Sequence, residues 1–343
     1  MKKIIVLLVI IIMLCMPLCA FAGCGVEDDG RLKIVVTVFS EYDWVMNVLG
    51  ERADEVKVTQ LLNNNIDLHS YSMTAKDKVT ILQSDIFIYV GGESDEKWVQ
   101  GVLEDVRNDS FKALCLLDIL GDAAKEEEIG DGMQQEEDAE EEEGEPEYDE
   151  HVWLSLRNAA LFVNKIAETI SEADPEYTDV YTANAAAYVA SLQALDGRYQ
   201  EMRSDATRDY ILVADRFPFR YLVDDYDIGY AAAFLGCAAD SEVTMETRRN
   251  LIDIVNAKDI RVLLILESSN KNKNGAQDAG DVLARREGYS DDSLAIRDGT
   301  NRKDQKIYVL DSLQSASTKE YKEGRTYLAV MEENLEVLRK ALQ

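Results

Sequence analysis

The sequence predicts an α/β protein of two lobes, each built on a mostly parallel sheet, joined by a long rigid backbone helix. Three observations lead there. Short β-rich runs alternate with amphipathic stretches, the rhythm of βαβ units. That rhythm stops near residue 120 and restarts near residue 209. Between the two series lies an Ala- and Leu-rich run with no internal Gly or Pro before Gly197, a long helix by propensity.

In order, residues 33–40 (KIVVTVFS) read as a buried strand and 44–49 as part of a short helix. Residues 55–62 form a second strand, 74–83 a helix and 85–91 (DIFIYVG) a third strand. A helix over 98–106 and a strand over 113–120 complete the first series. Residues 155–173 are helical, Asp174-Pro175 punctuates the chain, and the long helix runs from 176 to about 202. The second series has strands at 209–214, 229–234, 261–266 and 306–310. Helices fall at 218–226, 244–257, 275–286 and 319–342. The predicted organisation is a leader (1–23), an N-terminal lobe (24–172) with an acidic loop at 122–150, a linking helix (173–206) and a C-terminal lobe (207–343). Open α/β sheets bind ligands at the carboxyl ends of their strands, so the cleft between lobes is the expected site.

The leader has the layout of an export signal: Lys2 and Lys3, an apolar run from residue 4 to 18, then Ala20, Ala22 and Gly23. Phe21-Ala22-Gly23-Cys24 resembles a bacterial lipobox, which would make Cys24 the lipidated first residue of the mature chain. Two or more acyl chains there would anchor stably. Cleavage after Ala20 or Ala22 to give a free secreted protein is the other reading. Past the leader, the cysteines are Cys24, Cys115 and Cys237, too few for a disulfide scaffold. The last two pair or stay as buried thiols.

The net charge of −30 argues against nucleic acid as a partner. Much of it is local: fifteen of the 25 residues from 126 to 150 are acidic and none is basic. Such a run cannot form a core and is expected to be solvated and mobile. It serves either as an electrostatic concentrator of cations or as a bland insert.

The chain holds two histidines, His69 and His151, both in loops beside predicted elements. Neutral imidazole suits Zn, Cu, Fe and Ni. Their separation of 82 residues, with no local motif such as HExxH, does not by itself distinguish metal ligands from two unrelated surface histidines.

The words around them do. Asp67-Leu68-His69-Ser70-Tyr71 with Thr74-Ala75-Lys76-Asp77, and Asp149-Glu150-His151-Val152-Trp153-Leu154-Ser155 with Asn158-Ala159, resemble the two ligand loops of the zinc and manganese ABC-transporter substrate-binding proteins. Tyr181-Thr182-Ala183-Asn184-Ala185, Leu266-Glu267-Ser268-Ser269 and Leu310-Asp311-Ser312 continue the likeness in order. The resemblance implies one metal ion in the cleft, Zn2+ with Mn2+ as the alternative. It implies His69 and His151 as ligands, Asp311 as the C-lobe acid, and Glu267 as an alternate or supporting carboxylate. It further implies a membrane permease as partner, a monomeric receptor lipid-anchored outside the cytoplasm, and no enzymatic activity.

One position departs from the family. Aligning Phe219 and Tyr221 with the family aromatics puts Arg216 where a His or Glu ligand is expected, and a guanidinium has no lone pair to give. Either Asp215 takes over or water completes the shell, or Arg216 pairs with Asp311 or Glu267 when metal is absent. A surface adhesin on the same scaffold is the reading that Arg216 favours. A metal-dependent hydrolase lacks support, since no HExxH, P-loop or GxSxG element occurs.

Overall fold

Parallel strands need crossovers, and here helices supply them. The structure, a computed structural model, describes residues 30–63, 66–134, 147–237, 243–271, 282–302, 304–314 and 316–343. The leader and Cys24 lie outside the described residues, as does part of the acidic run and most of the helix expected at 275–286. Among the described residues no helix is long and apolar enough to cross a membrane.

The N-lobe comprises β1 (Lys33–Val36), α1 (Phe39–Leu49), β2 (Lys57–Gln60), α2 (Ala75–Leu82), β3 (Ile86–Tyr89), α3 (Glu93–Leu103), β4 (Lys112–Cys115) and α4 (Leu116–Leu120). Its sheet order is β2-β1-β3-β4, all parallel. Two long helices follow, α5 (Leu156–Ala173) and α6 (Thr178–Asp205). The C-lobe comprises β5 (Tyr210–Phe217), α7 (Arg220–Asp225), β6 (Gly229–Leu235), α8 (Met245–Ala257), β7 (Val262–Leu266), α9 (Val282–Arg286), α10 (Asp291–Gly299), β8 (Lys306–Leu310), α11 (Thr318–Lys322) and α12 (Tyr327–Ala341). Its order, β6-β5-β7-β8, is again all parallel.

Alternation along each strand decides which core a side chain joins. In the N-lobe, Ile34, Val36, Ile86 and Ile88 face the main core, while Val35 and Phe87 face a smaller one with Ile81, Val99 and Val102. In the C-lobe, Val213, Leu264 and Leu310 face the main core, and Leu212, Leu263 and Val309 a second cluster. The main core therefore runs without a break through both lobes, and opening them would expose it.

Helix α6 is the strut. At 1.5 Å per residue its 28 residues span about 42 Å. Its buried side chains, Tyr181, Ala185, Tyr188, Leu192, Leu195, Tyr199 and Met202, recur at alternating spacings of four and three, one continuous stripe. Three tyrosine hydroxyls fasten it: Tyr181 donates to Asp174 Oδ2, Tyr188 to Asp43 Oδ2 and Tyr199 to the Met331 carbonyl, each at 2.6 Å.

Several expectations need correction. The apolar run 116–120 is helix rather than strand, because a short apolar run does not declare its period. Helix α1 begins at Phe39, inside the run read as strand. Helix α10 was not foreseen, and the closing helix is divided into α11 and α12 by a turn at Gly324. The flanks of the acidic run are ordered. Glu127 N donates to the Glu147 carbonyl and Asp149 N to the Lys125 carbonyl, making a short stem. Residues 131–134 then lie along β6, where Ala232 N donates to the Asp131 carbonyl and Gln134 N to that of Ala233. An open sheet edge offers unpaired backbone groups, and this segment satisfies them despite its charge.

Candidate metal centre

The site is assembled at the carboxyl ends of the strands, as the topology requires. The loop after β2 carries His69 in a short 3-10 turn, Leu68–Ser70, whose second amide is secured by its cap: Asp67 Oδ1 accepts from His69 N at 3.0 Å. His151 comes from the other side. Asp149 Oδ1 accepts from both its backbone N, at 2.8 Å, and its ring Nδ1, at 3.0 Å. The chain then enters α5, whose N-cap Ser155 accepts from Asn158 N.

These contacts fix the rings. Nδ1–H of His151 is donated to Asp149, and Nδ1 of His69 faces Ser94 Oγ at 3.0 Å with Glu150 Oε2 at 3.5 Å. Each ring is thereby held at Nδ1 and turns its Nε2 to the cleft, and the two Nε2 atoms are 3.2 Å apart. With Zn–N bonds of 2.0–2.1 Å, two ligands on one tetrahedral ion stand roughly 3.4 Å apart. The pair is thus spaced to share a single ion. Two lone pairs facing at this distance would repel, and the amide Nε2 of Gln314 lies 2.9 Å from His151 and 3.2 Å from His69, donating to both.

Electrostatics separate the two rings. His69 is lowered to about 3, first by burial and then by His151 alongside, so it stays neutral at any ordinary pH. For His151, burial is the largest influence and would lower its pKa. Asp149, Glu150 and Glu127 together outweigh it and hold the ring above its usual value. Glu150, buried and receiving Ser94 N at 2.6 Å, is pushed up to about 7 by desolvation.

A third donor comes from the loop after β6. The ligand atoms of His69, His151 and Cys237 lie within 4.8 Å of one another, the only such metal-capable group among the described residues. Cys237 and Cys115 are free thiols, which decides between the readings left open by the sequence. Burial, then Glu127, Glu150 and Asp149, push the Cys237 thiol far above its ordinary range, so it keeps its proton in the ion-free protein. Two glycines let the walls close. A Cβ on Gly236 would come within 2.8 Å of His151 Cε1, and one on Gly92, whose φ is +83°, within 2.7 Å of Glu150 Cγ.

The remaining sequence candidates are engaged elsewhere. Asp311, buried, faces Arg325 at 2.8 Å and Arg286 at 3.3 Å. Burial would raise its pKa, but the two guanidinium groups hold it below the usual value. Its Oδ1 accepts from Leu313 N, and Glu267 accepts from Ser312 N at 2.9 Å and Ser312 Oγ at 2.7 Å. Both acids thereby brace the 311–314 turn, in which Leu313 adopts φ +61°. That conformation costs a bulky residue on the order of 1 kcal/mol, and the turn swings Gln314 towards the imidazoles. Glu267 is itself pushed up to about 7 by burial and by Asp311. Asp215 accepts from Leu266 N and Arg216 N, and burial raises its pKa. Arg216 bridges to Asp67 at 2.9 Å, a partner the sequence did not single out.

Sequence reasoning thus missed Cys237 and Gln314. Neither sits in a recognisable metal motif, and only the signal of a lone cysteine just past a predicted strand was available for the first.

A family model described as the periplasmic zinc-uptake complex component A, ZnuA, matches residues 34–341. The zinc-binding lipoprotein AdcA of Streptococcus pneumoniae is 30% identical over 341 residues, 99% of this chain and 61% of that protein. The chain therefore spans about three fifths of that relative's length. The manganese-binding lipoprotein MntA of Halalkalibacterium halodurans is 26% identical over 276 residues, 76% of this chain and 84% of that one. The crystal structure of the Zn(II)-bound ZnuA-like domain of S. pneumoniae AdcA superposes with a TM-score of 0.66 at 25% identity, covering 91% of this chain and 99% of that domain.

Proposed function

The chain belongs to the family of periplasmic zinc-uptake components, a family of solute-binding proteins rather than enzymes, and on that premise we propose that it is the extracytoplasmic receptor of an ABC importer, binding zinc and delivering it to a membrane permease. The observation that carries this reading is the convergence of His69 Nε2 and His151 Nε2 at 3.2 Å, each ring oriented from behind by a hydrogen bond at Nδ1. Zinc is favoured over manganese because the converging donor group contains no carboxylate, and manganese prefers oxygen ligands. Asp311 and Glu267 act through the turn that carries Gln314, and Asp215 through the β5–β7 junction. The export signal and Cys24 suit attachment to the outer face of the cell membrane.

Capture needs no chemistry beyond ligand exchange: the ion sheds water and displaces the Gln314 amide from the two lone pairs. Because one core spans both lobes, occupancy is not expected to swing the lobes apart or together. Zinc titration of the purified protein tests the site. Saturable binding that disappears in a folded His69→Ala, His151→Ala double variant is the expected result, and unchanged binding in that variant would falsify the assignment. Delivery is tested separately, by loss of zinc uptake in cells lacking the chain.

A further inference from the structure

Resting on that reading, we infer that the ion is held through sulfur as well as nitrogen: Cys237 is the third ligand, bound as a thiolate, and it makes the receptor selective for thiophilic cations.

Three observations converge on this. The Cys237 sulfur lies within 4.8 Å of a ring nitrogen of each histidine, and the two Nε2 atoms are themselves already spaced for one ion. A tetrahedral zinc with Zn–S of 2.3 Å and Zn–N of 2.0–2.1 Å asks for S···N separations of roughly 3.6 Å. On binding, the Cys237 side chain would close the remaining distance. The loop backbone is already seated, since Gly236 packs so closely on the His151 ring that a Cβ there would stand 2.8 Å from Cε1. Finally, the C-lobe side chain expected to supply a donor from β5 is Arg216, which turns to Asp67 and cannot ligate. Cys237, just past the neighbouring strand β6, is the C-lobe thiol or carboxylate that groups with the imidazoles among the described residues.

The surroundings also argue against a nucleophilic or a disulfide-forming role for this cysteine. A nucleophilic cysteine sits beside basic groups that stabilise its thiolate. Cys237 sits beside Glu127 and near Glu150 and Asp149. Negative surroundings of that kind oppose a bare thiolate and favour a divalent cation. Cys115 is likewise a free thiol, so no disulfide sequesters Cys237. Ion entry forms the metal–sulfur bond and breaks the S–H bond, and the proton leaves to solvent, one for each ion taken up from this group. Thiolate favours zinc, cadmium and other thiophilic ions and discriminates against manganese and magnesium.

Cobalt(II) titration of the whole protein is the test, because thiolate ligation gives an intense near-ultraviolet charge-transfer band that nitrogen and oxygen ligands do not. The wild-type chain and Cys115→Ser are expected to show the band with one equivalent of cobalt. Cys237→Ser is expected to lose it, to bind zinc at least tenfold more weakly, and to lose discrimination against manganese by a similar factor. Cobalt binding without the band, or a band that persists in Cys237→Ser, would overturn the inference while leaving the receptor reading intact. Retention of one equivalent of metal by the His69→Ala, His151→Ala variant overturns the receptor site and the inference with it.

Discussion

Arg216 Nη2 lies 2.9 Å from Asp67 Oδ2, tying the first strand of the C-lobe to the loop that carries His69. The side chains are only 16% and 23% exposed, so water screens the pair incompletely. A cation has thus taken a place beside the site where a ligand was expected, and it holds the first ligand by its cap. Replacing Arg216 with Ala should loosen the segment around His69 by roughly 1 kcal/mol, about a fivefold rise in local opening. Hydrogen exchange at the amides of Ser70 and Tyr71, which close the turn on Asp67 and Leu68, reads this directly. Unchanged exchange would mean that the Asp67 cap holds the turn alone.

Asp149 orients His151 through both its backbone and its ring. Removing such a supporting carboxylate typically weakens metal binding by about 10- to 100-fold. Asp149→Ala is expected to fall in that range for zinc, measured by competition with a chromophoric chelator. An affinity within twofold of wild type would show that packing alone aims the ring.

Much of this centre was legible in the chain and part was not, for identifiable reasons. His69 and His151 are the only histidines, and an acid beside each was expected to orient it: Asp67 does cap the His69 turn, but for His151 the orienting group is Asp149 and not Glu150, which faces His69. The strands were legible because alternate residues serve different cores on the two faces of each sheet. Cys237 was not, since a cysteine past a strand carries no spacing signal, and the fold alone brings it to a histidine 86 positions away. Gln314 was hidden by a turn. Sequence attention fell on Asp311, but the positive φ of Leu313 sets which polar residue of that segment faces the cleft.

The Gln314 amide donates to both imidazoles, so it occupies the approach of the ion without contributing charge. Gln314→Glu converts the donor into an anionic oxygen at nearly constant volume. Zinc affinity should rise at least about tenfold, and manganese affinity should rise more, because carboxylate suits manganese. Calorimetric titration with both ions tests this. A variant that binds both more weakly would indicate that the carboxylate repels Asp149 and Glu150 more than it attracts the ion.

Asp43 sets a pH dependence of stability that is separate from the metal. It is buried where α1, α6 and α12 meet, accepting from Tyr188 Oη at 2.6 Å, Tyr327 N at 3.0 Å and Asn47 Nδ2 at 3.0 Å. Burial nevertheless dominates and raises its pKa to about 6, and burial likewise raises Asp95 to about 7. The folded chain therefore binds these protons more tightly than the unfolded chain, whose Asp titrates near 4. Their contribution is fully present below about pH 4 and is lost as pH rises through 6 and then 7. His69 acts in the opposite sense: lowered to about 3, it adds stability as pH rises to about 6.5 and nothing beyond. Above that point only the losses remain, so the ion-free protein should melt at a lower temperature at pH 8 than at pH 6.5. Asp43→Asn removes a titrating share that amounts to roughly 3 kcal/mol for a shift of about two units. Its melting temperature should vary less than that of the wild type between pH 4 and 7, and equal slopes for the two proteins would show that Asp43 is not the group titrating there.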